Sequence, residues 1–172
     1  MNKYSKILVV SALFAFWGIL LFAQEFQVPT NYSLVKVEDY APYEQDIVNC
    51  VKWLADIPID QNTEKRKEAN AFLLKWITGS PNVKIELRQD VAPFMISNFE
   101  MMMAFLGGWT KYSLETRDFS NPLKGNIAGI ENVIYVYKKN KKVIGKDKDI
   151  EKYIKLQSKG QLEKEIAKIL SK

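Results

Sequence analysis

Pro93-Phe94-Met95-Ile96-Ser97-Asn98-Phe99-Glu100-Met101-Met102-Met103-Ala104-Phe105-Leu106 is the stretch that decides the fold. At 3.6 residues per turn its apolar side chains surround a helix on nearly every side. Such a helix has no face to give to water, so it belongs at the centre with other elements packed around it. Gly107-Gly108 come next, and they either end the helix or let a neighbour approach closely. Trp109, Tyr112 and Leu114 continue the stripe, which predicts one bent helix reaching about Glu115.

The flanking sequence supplies the helices that would cover it. From Tyr43 to Asp56, the residues Ile47, Cys50, Val51 and Leu54 share one face, and Pro58 ends the run. Thr63 is placed as the next N-cap, with Glu64 in the first turn. Ala69, Phe72, Leu73 and Trp76 form that helix's apolar stripe, and Arg66, Lys67, Asn70 and Lys75 are expected to face water. Gly79 and Pro81 stop it, and the short polar loop Asp60-Gln61-Asn62 predicts an antiparallel hairpin.

Asn121-Pro122 marks a turn before a helix from about Leu123 to Asn140, carrying Ile127, Ile130, Ile134 and Tyr137. Gly145 ends the stretch beyond Asn140. Asp147 or Asp149 caps a fifth helix holding Ile150, Tyr153 and Ile154, and a last helix holds Leu162, Ile166, Ile169 and Leu170 after Gly160. Two segments break the helical period. Leu34, Val35 and Val37 suit a short strand, and Val83, Ile85 and Leu87 alternate with Lys84, Glu86 and Arg88. The expected fold is therefore mainly α: a compact bundle of five or six helices in hairpins, with at most a minor two-stranded ribbon. A repeat-like superhelix is the alternative topology.

The N-terminus carries an address. Lys3 and Lys6 precede the uncharged apolar run Ile7 to Phe22, which ends at Ala23-Gln24. A positive start, a short apolar core and a small residue at the exit have the form of a secretory signal peptide. The run is shorter than the roughly 20 apolar residues that a spanning helix wants. Cleavage after Ala23 would leave residues 24–172 as a single helical domain, exported to the periplasm or the medium. The competing reading keeps residues 7–22 as a membrane anchor, the one contact with a membrane expected here.

Composition narrows the chemistry. At 47% hydrophobic and 12% aromatic residues, the chain can bury a core of its own. It has no histidine, so Ser-His-Asp and Cys-His pairs, histidine zinc sites and histidine-ligated haem are all excluded within one chain. Its single cysteine, Cys50, forms no internal disulfide, and its place on the Ile47 stripe reads as a small buried hydrophobe. No phosphate-binding loop occurs around Gly107-Gly108. Asp147, Asp149 and Glu151 alternate outside any calcium loop and read as cap and first-turn anions. Neither a cofactor nor a metal is expected.

The charge is uneven. From Lys138 to Lys172 there are 12 lysines and 5 acids, whereas Gln24 to Tyr137 carries 11 basic and 15 acidic residues. The basic end suits an acidic protein or an anionic envelope component, or simply keeps the last helices soluble. Nucleic acid is not expected, because the aromatic interleaving of single-strand binders is missing.

Three function classes remain. The first is a non-enzymatic interaction domain of the cell envelope, with Lys138, Lys139, Lys141 and Lys142 as its partner patch. The second is an apolar-ligand carrier, most simply for lipid, with Met95, Phe99, Met102, Phe105 and Trp109 lining a pliable cavity. The third is a carboxylate hydrolase, since paired acids cleave glycosides without histidine. Glu100 stands out there, beside Met101 in the most apolar stretch, with Glu131 and Asp118 as candidate partners.

Asn70-Ala71-Phe72-Leu73-Leu74-Lys75-Trp76, Phe105-Leu106-Gly107-Gly108-Trp109-Thr110-Lys111-Tyr112 and Gly125-Asn126-Ile127-Ala128-Gly129 resemble small exported helical proteins of Bacteroidota. The resemblance would span most of residues 24–172. It implies an exported helical domain of a Gram-negative cell and brings no catalytic residues with it.

Overall fold

The computed structural model of this chain describes residues 26–172. The expected leader falls on residues 1–23 and lies outside the described residues. The described residues hold six α-helices: α1 (Glu44–Asp56), α2 (Thr63–Gly79), α3 (Phe99–Thr116), α4 (Pro122–Ile144), α5 (Lys148–Ser158) and α6 (Leu162–Leu170). The fold is a mainly α bundle, as the periodicity predicts. Among the described residues there is no strand.

α3 is the axis. Met103, Leu106 and Leu114 belong to one apolar cluster with α1, α2 and the segment from Phe26 to Tyr40. Met101, Ala104, Phe105 and Trp109 belong to a second cluster with α4, α5 and α6. A helix serving two cores must be apolar on both sides, which is why its sequence lacks a polar face. Phe72, Trp76, Phe94, Phe105 and Tyr137 are among the largest side chains fully buried in these clusters. α1 also reaches α3 and α4, and α6 reaches α4. These contacts between non-neighbours make a bundle rather than a superhelix.

The largest helix–helix interface joins α3 and α4, and small residues allow it. A Cβ on Gly108 would lie 2.6 Å from the Ala128 carbonyl oxygen, and one on Gly129 would lie 2.7 Å from the Phe105 ring. Asn132 Nδ2 donates across the seam to the Ala104 carbonyl at 2.7 Å. Gly107-Gly108 thus continue the helix and admit a neighbour. Trp109 occupies the space beside Gly125, where a Cβ would meet the indole at 2.2 Å.

The expected ribbon is absent. Val35 and Val37 are 83% and 68% exposed, and Val37 begins a 3-10 turn, Val37–Asp39. The Asp39 carboxylate accepts from the Val35 and Lys36 amides at 2.9 and 2.8 Å, which curls the chain instead of extending it. Those two bonds hold the Asp39 carboxyl below its usual range, the Lys36 amide contributing most and the Val35 amide next. Residues 80–92 form a strap over helices. Val83 enters the first cluster, Val91 and Ala92 are also buried, and Arg88 donates to the Ile169 and Leu170 carbonyls at the end of α6. The alternation of Val83, Ile85 and Leu87 is real, but the inward side chains rest on helices and Leu87 is 50% exposed.

Two cap assignments also shift. Asn62, in a left-handed conformation with φ 51°, precedes α2, so Thr63 is the first helical residue and not the cap. Asp147 is the cap of α5, and its carboxylate accepts from the Asp149 and Ile150 amides at 2.9 and 3.0 Å.

Candidate functional site

Arg66 and Asn70, expected on the wet face of α2, are both 4% exposed. The physical reason is the bare end of α1. The last carbonyls of a helix lack partners, and a cation there completes them. Arg66 Nη2 donates to the Leu54 carbonyl at 3.0 Å and to the Ile57 carbonyl. Its other amino nitrogen pairs with the Glu100 carboxylate at 2.9 Å. Asn70 Nδ2 reaches the same carboxylate at 3.4 Å. One guanidinium therefore joins the end of α1, the start of α2 and the first turn of α3. Arg66 Nε and Asn70 Oδ1 are buried without a protein partner. Both residues line a crevice of about 10 Å³ with Val51, Leu73, Met103 and Gly107. That volume is about what one water molecule occupies.

The arrangement makes Glu100 a bracket between helices. The other two candidate acids stand elsewhere. Asp118 lies just beyond the C-terminal end of α3 and accepts from the Tyr112 hydroxyl at 2.8 Å. Glu100 begins that helix, so an axial rise of 1.5 Å per residue separates the two by roughly 25 Å. Inverting glycosidases hold their acids within about 10 Å. Glu131 is exposed on α4 and lines a separate groove with Tyr112, Glu115 and Tyr135. The structure does not bring the three carboxylates together.

The methionine helix packs its residues in different directions. Phe105 is fully buried and Trp109 is 4% exposed, and they meet edge-on with ring centres 6.0 Å apart. Phe94 meets Phe105 edge-on at 6.5 Å. Phe99 is 53% exposed, while Met95 and Met102 are half-buried. Only Met103 among the central methionines reaches the Arg66 crevice. Cys50 is buried, its thiol donates to the Ala69 carbonyl at 3.4 Å, and burial pushes its pKa far up. It is a packing residue.

The lysine patch at the end of α4 divides in two. Lys139 is used internally, donating to the Asp56 carboxylate at 3.0 Å and to the Asp56 carbonyl at 3.1 Å. The Tyr135 hydroxyl and then Lys139 hold the Asp56 carboxyl below its usual range. Lys141 pairs with Glu151, whose carboxyl is held low first by Lys141 and then by the Tyr137 hydroxyl. Lys138 and Lys142 are exposed.

A different set of lysines converges. Lys148, Lys152, Lys155 and Lys159 recur at intervals of 4, 3 and 4, which places them on one face of α5 and its end. With Lys146, Glu151 and Leu156 they line a shallow groove of about 440 Å³. Lys152 pairs with Glu165 at 2.8 Å. Lys148, Lys155 and Lys159 form no ion pair among the described residues. The face points outward because the opposite one is fastened. Ile150 is fully buried, and the Tyr153 hydroxyl donates to the Val91 carbonyl at 2.6 Å. Apolar periodicity singles out Ile150, Tyr153 and Ile154 in this helix and passes over its basic stripe. The 4-3-4 lysine spacing is the signal that finds it.

Among the described residues there is no cluster of side chains fit to hold a metal ion, and no helix is long and apolar enough to cross a membrane. No protein-family model, curated protein or solved structure matches this chain.

Proposed function

We propose that this chain is a non-enzymatic interaction domain, exported to the cell envelope, that meets an anionic partner through the basic face of α5. One observation carries the reading: four lysines share one side of an exposed helix face, and three of them have no internal carboxylate. Like charges one turn apart cost an isolated helix a few tenths of a kcal/mol per pair. Lys152 ties α5 to Glu165 of α6, but nothing in the packing of α5 needs Lys148, Lys155 or Lys159, since Ile150 and Tyr153 anchor it from the other side. The leader-like residues 1–23 support export. The crevice of about 10 Å³ is far smaller than the few hundred Å³ a lipid-sized ligand needs, which weighs against a carrier. The separation of Glu100 from Asp118 weighs against a hydrolase.

Retention on immobilised dextran sulfate, a generic polyanion, tests the reading. Reversal of Lys148, Lys155 and Lys159 to Glu should move elution to much lower salt. Reversal of Lys138 and Lys142 should move it less. Elution of the α5 variant at the wild-type position would end the proposal.

A further inference from the structure

We infer that the α5 lysine face rests the domain on a bilayer surface bearing anionic headgroups, without inserting into it. This rests on the reading of α5 as the working surface and narrows its partner to one chemical class.

The geometry of the charges favours a surface over a threaded polymer. Lys148 and Lys159 stand 11 steps apart, about 16 Å along the α5 axis at 1.5 Å per residue, and Lys146 extends the line at its N-terminal side. The charges lie along one line on the outside of the molecule, so a plane can meet them all together. The groove between them is walled by lysine side chains and by Glu151, whose charge Lys141 offsets, with Leu156 the one apolar residue in its lining. Lysine stems are flexible and their ammonium heads are point charges, so they impose no register on a polymer chain. They suit a partner whose charge is laterally free, as that of a lipid headgroup is. Basic residues against an anionic leaflet act additively in this way.

The opposite side of α5 says how deep the contact goes. An interfacial amphipathic helix buries its apolar face among acyl chains. Here Ile150 and Tyr153 are spent inside the protein, at 0% and 3% exposure. α5 therefore has only its basic face to offer, and the association is electrostatic and reversible by salt.

Co-sedimentation with vesicles tests this. The full chain is spun with vesicles of phosphatidylcholine alone, or of phosphatidylcholine and phosphatidylglycerol in equal parts. Ionic strength is set where the screening length is about 30 Å, then where it is about 3 Å. Lys3 and Lys6 beside the uncharged run 7–22 favour anionic vesicles too, but the wild type and every α5 variant share them, so the difference between those proteins belongs to α5. The expected result is binding to the anionic vesicles at low salt and release at high salt. A lysine held near an anionic surface contributes roughly fivefold in partition, so Lys148→Gln, Lys155→Gln and Lys159→Gln together should cost about a hundredfold. Each single change should cost about fivefold, a graded series that stands even if the triple variant folds poorly. Glutamine in place of Lys36, Lys67 and Lys75 should leave most of the binding. Equal binding to both vesicle types, or indifference to the α5 changes, overturns the inference. Retention on dextran sulfate through α5 without vesicle binding also overturns it and leaves the broader function standing. Loss of both ends both.

Discussion

α3 and α5 are helices of opposite habit. Eleven of the 18 residues of α3 are buried, against two of the 11 in α5. α3 is held by shape, because its glycines and alanine admit α4 to backbone distance and its large side chains fill two cores. α5 is held by a few anchors, a capped first turn at Asp147, the buried Ile150 and the Tyr153 hydroxyl, and its remaining surface is left to lysine. The difference separates what the fold requires from what it leaves free. A substitution on α3 is read by the whole bundle. A lysine on α5 can be exchanged at little cost to stability, which makes a concentration of charge there informative about function.

The comparison breaks hardest at Gly108. Exchange of glycine for a larger residue inside a helix normally gains a few tenths to 1 kcal/mol from backbone entropy. Gly108→Val should do the reverse. Its Cβ would stand 2.6 Å from the Ala128 carbonyl oxygen, which is backbone and cannot rotate away. α4 must move off, and the Phe105 and Trp109 packing opens with it. We expect a loss of about 3 kcal/mol, the upper end for overpacking, read as a lower urea midpoint. A midpoint equal to wild type would mean that α3 and α4 do not approach as described.

Arg66 comes next. Arg66→Met keeps the stem volume and removes the group that completes the α1 carbonyls and pairs Glu100. Breaking a fully buried pair costs about 3–5 kcal/mol, and the Glu100 side chain retains 26% exposure, so about 2–3 kcal/mol is expected. Adding Glu100→Gln should recover part of that loss, because the carboxylate no longer lacks its cation. A double variant as unstable as the sum of its single changes would show that the two side chains do not act together.

Arg66 also marks the limit of what its sequence discloses. The helices are legible because apolar spacing of 3 and 4 survives any tertiary setting, and α3 is legible as the centre because it has no polar face. Position 66 reads as wet because charge on the far side of a stripe normally is. Only the bare carbonyl ends of α1 explain its burial, and those come from where Pro58 stops α1 and how the hairpin closes. The strap at 80–92 misleads for a related reason: alternation reports which side chains point inward, not whether a second strand stands beside them. The α5 stripe is legible in principle, at 148, 152, 155 and 159. The four lysines crowded at 138–142 are more conspicuous, yet on a helix adjacent residues point in different directions.

The smallest of these effects is a pH window that reports how α5 is fastened. Burial is the main reason the Tyr153 hydroxyl is pushed up to about 12, with Glu165, Asp149 and Asp90 adding to it. The unfolded chain releases that proton near pH 10. Between pH 10 and 12 the unfolded state therefore binds fewer protons than the folded one, and stability falls as pH rises through this interval. Below pH 10 both states are protonated and the group adds no slope. Two pH units correspond to about 2–3 kcal/mol at most, and less once the neighbouring charges relax. Tyr153→Phe should lower stability near neutral pH by about 1 kcal/mol through the lost bond to the Val91 carbonyl. It should also flatten the alkaline fall relative to wild type, as tracked by thermal melts from pH 9 to 12. Tyr112 and Tyr137 are raised as well and are present in both proteins, so the difference between the two curves belongs to position 153. If the two curves ran parallel, α5 would not be held through this hydroxyl, and its lysines would have no fixed direction to face.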